Sequence, residues 1–319
     1  MRKVTQDRIS GRAMKTRHSD LGAKGRRKGI LQWLEDLATF STIGDAPKRP
    51  PKALLNNVAR WMEDHEAEIP VLMRNSPKNI QLVILRYASF VPQKIRHRVF
   101  AIAFESGDPQ LVRSACARLW ETKTDGTRFL RTIESLIGSS ERADKENALR
   151  ALGVCKMPKH RRLELVMPHI NTLPYEVIEA LRPVRRWRGK DLRILEELLR
   201  NTFGIRQATL ELIKAADVPY DFLKETLAMR LLDPDDAVVE STVGIIRSLG
   251  SRAEPLVSNL RYALDSAEFR CKLFREALRD VRRACRAACG GKEKGRHGRV
   301  PPERPPEPVP LPCAMGFML

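Results

Sequence analysis

The residues that could do chemistry are widely scattered. His18, His65, His97, His160, His169 and His297 fall in no His-Glu-x-x-His pair. The chain also lacks a Gly-rich phosphate loop and a GxSxG elbow. Cys285, Cys289 and His297 offer sulfur and imidazole to a zinc-like ion, but no fourth ligand is evident. No metal or other cofactor is therefore expected. Carboxylates recur at Asp108, Glu141, Asp144, Asp233, Asp235 and Asp236. Each stands where a helix would begin, and there an acid stabilises the helix dipole by ~0.3–1 kcal/mol. Against that background no catalytic pair stands out, and no residue is assigned a catalytic role.

Basic residues show more pattern. The stretches PQKIRHR, ETKTDGTRFLR, CKMPKHRR and RPVRRWRGK fall between helical segments. They supply Lys94, Arg96, Arg98, Arg128, Lys159, Arg161, Arg162, Arg185, Arg186, Arg188 and Lys190, with Trp187 among them. These residues form the expected nucleic-acid-binding set, and Lys123, Arg131 and Lys156 lie beside it. Arginine and lysine donate charge-assisted hydrogen bonds to phosphate. Trp187 either stacks on a base or packs at a helix end. The dipole at a helix C-terminus favours one basic residue, and RPVRRWRGK is denser than that requires.

The whole chain shares this bias. It has 319 residues, with 58 Lys and Arg against 39 Asp and Glu, for a net charge of +19. Such a balance favours anionic partners: nucleic acid, an acidic protein or an anionic membrane surface. Apolar residues at 42% allow a sizeable core, and aromatics at 6% argue against a sheet-rich fold. No apolar run approaches the ~18 residues of a spanning helix. The N-terminus is basic without an apolar signal region, and Asp7 and Asp20 weaken a mitochondrial presequence. Cys116, Cys155 and Cys271 fall in helical patterns, where cysteine acts as a small hydrophobe. A reducing, cytoplasmic location, a monomer and no disulfide framework are expected.

The positioning elements follow from periodicity. Residues 1–27 read as a basic arm, and residues 28–51 as a short helix and Pro-rich linker. Residues 52–289 read as nearly continuous helix, and 290–319 as a disordered Pro/Gly-rich tail. Breaks at Ser76-Pro77, Asp108-Pro109, Glu141, Leu173-Pro174, Gly204, Asp233-Pro234 and Ser266 recur about every 30 to 33 residues. Each unit holds two helical patterns, A and B. A proline suits the first turn of helix A, and the residue before it suits the N-cap.

One unit carries a resemblance. DPDDAVVESTVGIIRSLG, through Asp233, Pro234, Val238, Ile246, Leu249 and Gly250, resembles the first helix of a HEAT repeat in the short bacterial style. SRAEPLVSNLRYAL, through Pro255, Leu256, Val257 and Leu260, resembles the second. VRSACARLW and ENALRALG are weaker copies. The resemblance implies an all-α fold, a right-handed α-solenoid of about seven antiparallel helix pairs.

In such a fold equivalent turns align, and four basic turns would make a ridge on the order of 30 Å. The last helix adds Arg275, Arg279, Arg282 and Arg286 along one stripe. The leading expectation is a non-catalytic scaffold binding nucleic acid, with protein–protein interaction as the alternative. HEAT-like DNA base-excision glycosylases are a further alternative, for they use an acid and tryptophans. Trp33, Trp61, Trp120 and Trp187 are the candidates here, but that family's catalytic motif maps to no stretch. Another family with such repeats attaches bilins to proteins, and nothing beyond the repeats supports it.

Overall fold

The computed structural model describes residues 23–42, 50–266 and 270–290, with the side chains of 23–28, 39–42, 289 and 290 left aside. Every named element among them is helical. The chain divides into two compact units, Met1–Met157 and Pro158–Leu319. This division falls inside the stretch 52–289. No helix among the described residues is long and apolar enough to cross a membrane. The expected tail and most of the expected arm lie outside the described residues.

The first unit contains α1 (Ala23–Thr42), α2 (Lys52–Asp64), α3 (Ile69–Asn75), α4 (Lys78–Arg86), α5 (Gln93–Glu105), α6 (Pro109–Glu121), α7 (Leu130–Ile137) and α8 (Arg142–Leu152). Helix α1 starts at Ala23, inside the expected arm, because its lysines and arginines are good helix formers. Neighbours pair, as α5 does with α6 and α7 with α8. Helix α4 also packs on α6 and α6 on α8, each on the next helix but one, and α1 packs on α4. Spacing explains why. Leu111, Val112, Ala115, Cys116 and Leu119 fall on one face of α6 and are buried. Ala115, Cys116 and Ala148 are small enough to let α6 and α8 approach. Truncating Leu119, which is fully buried, would cost about 2–5 kcal/mol.

Helix starts follow local chemistry. The Asp108 carboxylate accepts from the N–H groups of Gln110 (2.9 Å) and Leu111 (3.2 Å), with Pro109 at the first position. It also meets Lys78 Nζ at 2.7 Å. Arg113 Nε, on α6, donates to Asp144 Oδ1 on α8 at 2.6 Å.

The second unit contains α9 (Lys159–Val166), α10 (Pro174–Leu181), α11 (Leu192–Leu199), α12 (Phe203–Lys214), α13 (Tyr220–Arg230), α14 (Asp236–Leu249), α15 (Val257–Ser266) and α16 (Cys271–Gly290). Here α10 packs on α12, α12 on α14 and α14 on α16. Val238, Val239, Thr242, Val243, Ile245 and Ile246 form the buried face of α14. Gly250, at φ +59°, ends that helix.

Helix α14 starts later than its Asp-Pro signal suggests. Asp235, not Asp233, is the N-cap, accepting from Ala237 N (3.0 Å) and Val238 N (3.4 Å). Asp233 is buried instead. It accepts from Arg206 Nη2 at 2.8 Å, Arg230 Nη1 at 3.1 Å and its own chain at Asp235 N, 3.1 Å. Arg270 extends the array, meeting Asp236 Oδ1 at 2.5 Å and the carbonyls of Asp233 (2.8 Å) and Pro234 (2.9 Å).

Candidate nucleic-acid interface

The turn from α10 to α11 is built around its tryptophan. Trp187 is fully buried at 0% exposure, so it packs and has no face free to stack on a base. An apolar ring in a basic turn draws its backbone inward, and the segment after α12 supplies the partners. Asp217 N donates to Arg185 O at 2.7 Å, and Trp187 N donates to Asp217 O at 3.0 Å. Together these make a short parallel bridge between Arg186 and Asp217. Arg188 reinforces it through Nη1 to Asp217 O (2.9 Å) and Nη2 to Asp217 Oδ2 (2.6 Å). Arg185 Nη1 donates to Ala215 O at 3.1 Å. Below the turn, Lys159 Nζ meets Arg186 O at 2.7 Å and Asp191 Oδ2 at 2.5 Å, 5.6 Å from the Trp187 ring centre.

The backbone between Arg185 and Lys190 is thus fixed, while Arg185, Arg186, Arg188 and Lys190 are all exposed. The side chains of Arg186 and Lys190 meet no acid among the described residues. The Arg188–Asp217 pair is more than half exposed on both sides (54% and 57%), so it holds Arg188 weakly in water.

Other expected residues are placed differently. Arg162 is 2% exposed and donates to Ala180 O at 2.8 Å. It closes the α9–α10 packing and is not presented to a partner, because its helix position faces the core. Lys159 is half-buried by the contacts above, and Arg161 pairs with Glu164 at 3.3 Å.

In the first unit, Lys94 pairs with Glu66 at 2.5 Å. Arg96 turns back to donate to Val91 O at 3.0 Å and 3.3 Å, and burial pulls its pKa down without discharging it. Arg98 is exposed, and so is Arg128, whose guanidinium lies 5.2 Å from the Phe129 ring centre. Lys123 Nζ caps the Trp120 ring at 4.5 Å. Lys156 pairs with Asp125 at 3.2 Å, and its N–H donates to Thr127 Oγ1 at 2.8 Å. The hydrogen bond from Thr127 Oγ1 holds the Asp125 carboxyl below the usual carboxylate range, and it outweighs burial.

Sequence reasoning missed Asp217 as the lock of the turn. The available signal was its position thirty residues after Trp187, close to the spacing of the helix breaks. Asp144 does stand in the first turn of α8 as expected, and it is also a buried acceptor for Arg113 of α6; Asp233 lies before its helix and is a buried acceptor for Arg206 of α12.

Trp61 is buried as Trp187 is, and Trp33 and Trp120 are half-buried. Among the described residues no three His, Cys, Asp or Glu side chains group to hold a metal. The Cys289 side chain and His297 lie outside that description. Cys116 and Cys155 are buried, and Cys271 and Cys285 are half-buried. Burial pushes the Cys116 thiol up, as an inert core cysteine requires.

No protein-family model matches the chain, and no curated protein matches it. Among solved structures it is similar to the crystal structure of an engineered protein, a Northeast Structural Genomics Consortium target. That likeness has 14% identity, 83% of this chain and 94% of that chain covered, and a TM-score of 0.26. So weak a likeness carries no argument about fold or function.

Proposed function

We propose that the chain is an α-solenoid of HEAT-like helix pairs that binds nucleic acid without catalysis. The solenoid reading is supported inside each unit by A helices that pack on the next but one. It is supported also by contacts that recur at repeat spacing: Arg113 to Asp144, Arg206 to Asp233 and Arg270 to Asp236, at separations of 31, 27 and 34 residues. One observation carries the binding reading. Asp217 pins the turn at Arg185 and Trp187, yet Arg185, Arg186, Arg188 and Lys190 all stay exposed. Rigid backbone with solvated guanidinium forks suits phosphates, and it positions a strand without reading its bases.

The test is fluorescence anisotropy of labelled single- and double-stranded RNA and DNA with the full chain. The variant Arg185→Gln, Arg186→Gln, Arg188→Gln, Lys190→Gln should bind at least tenfold more weakly and remain folded by circular dichroism. Unchanged affinity would remove the turn from the interface. No binding by the wild type at low salt would turn the reading to an acidic protein partner.

A further inference from the structure

A second basic surface lies in the second unit. A cavity of about 890 Å³ opens between α16 and the segment Glu254–Arg261. Its lining holds five arginines, Arg261, Arg279, Arg282, Arg283 and Arg286, against a single acid, Glu254. All five are exposed, and among the described residues none pairs with a carboxylate. Arg279 Nε reaches only the Arg275 carbonyl, at 3.4 Å. The nearby acid Asp280 is engaged elsewhere, on Arg247 at 2.6 Å.

A solvated outer helix face does not need this arrangement. Arginines at 279, 282, 283 and 286 are three and four apart, where like charges repel. Surface helices ordinarily intersperse both signs there. Arg261 faces them from the other wall, so the charges converge on one volume. Pro255 and Val257 give that wall an apolar floor, and no aromatic side chain is among the lining residues.

We infer that this cleft is a binding site for linked phosphates. The row Arg279–Arg286 spans about 10 Å along the helix. Phosphates that share bridging oxygens crowd their charges more closely than alternate side chains of a peptide can, so a short polyphosphate meets several of these arginines, while a nucleic-acid strand, which winds as it rises ~3.4 Å per phosphate, brings about two. An extended acidic peptide presents carboxylates to one face only every ~7 Å and would leave arginines unmatched. Without an aromatic platform the cleft holds phosphates and ignores bases. It shares no residue with the Arg185–Lys190 turn and stands whether or not that turn binds.

The experiment is calorimetric titration of the full chain with inorganic tripolyphosphate, a ten-nucleotide single strand and, as control, an oligoglutamate of equal charge. The wild type should bind both phosphate probes at least tenfold more tightly than the oligoglutamate. Arg261→Gln, Arg282→Gln, Arg286→Gln should lose at least tenfold in affinity for tripolyphosphate, while the turn variant stays within twofold. Alkylation of Cys285, which lines the cleft, gives a second readout on the unmutated chain. Tripolyphosphate should slow it several-fold, as resolved by mass spectrometry. Tighter binding of the strand makes nucleic acid the source of the phosphates, and tighter binding of tripolyphosphate makes it a free polyphosphate. Equal affinity for oligoglutamate, unaltered binding by the cleft variant, or unprotected Cys285 under saturating tripolyphosphate would each overturn the inference.

Discussion

Replacing Asp233 with alanine tests the packing between α12, α13 and α14. The carboxylate is 4% exposed and takes Arg206 at 2.8 Å, Arg230 at 3.1 Å and Asp235 N at 3.1 Å. Its removal strands two guanidiniums whose side chains are only 16% and 21% exposed. Breaking a buried ion pair costs roughly 3–5 kcal/mol. The arginines keep some water, so the lower end, about 3 kcal/mol, is expected for Asp233→Ala. Asp233→Asn keeps an acceptor for Asp235 N and should cost about 1–2 kcal/mol. Burial raises the Asp233 pKa, but the hydrogen bonds from Arg206, Asp235 and Arg230 outweigh it, and the carboxyl sits below its ordinary value. A depressed folded pKa adds stability that is full above the unfolded value and lost as pH falls through the folded one. The gap between wild type and Asp233→Ala should therefore be constant above about pH 5 and close below about pH 4. Urea unfolding followed by circular dichroism measures it. A cost under about 1 kcal/mol at pH 7, or a gap that persists unchanged into strong acid, would refute the reasoning.

Three further outcomes are expected. Gly126→Ala places a Cβ 2.9 Å from Cys155 Sγ and 3.3 Å from Leu119 Cδ1, and overpacking of this kind costs about 1–3 kcal/mol by urea unfolding. Trp187→Phe should leave nucleic-acid affinity within twofold in anisotropy, because the ring is fully buried, while Trp187→Ala should destabilise by about 3–5 kcal/mol. Arg282→Glu exchanges repulsion from Arg279 and Arg286 for attraction and should stabilise α16 by about 0.5–1 kcal/mol in thermal or urea unfolding, an effect that fades in high salt.

Much of the helical organisation was legible because its signals are local. Pro109 after Asp108 marks the start of α6, and Gly250 marks the end of α14, as a proline and a glycine dictate wherever they stand. The apolar face of α14 could be read from spacing alone. The fate of individual polar residues was not legible, because it depends on neighbours distant along the chain. Asp233 looks like a cap beside Pro234, but Arg206 and Arg230 draw it into the interior and Asp235 takes the cap. Arg162 and Trp187 share the composition of a basic turn, yet helix phase and the Asp217 bridge bury both. The cleft was only half visible. The arginine stripe of α16 shows in the sequence, but Arg261 joins it only once α15 and α16 pack.

The central claim is that the Arg185–Lys190 turn neutralises phosphates, and salt dependence measures that directly. Each phosphate neutralised on a single strand contributes about −0.7 to the slope of log K against log salt. Anisotropy titrations of one labelled strand between about 50 and 200 mM salt should show the four-glutamine turn variant with a slope shallower than wild type by about 2–3. Equal slopes for the two proteins would contradict the account, whatever their affinities.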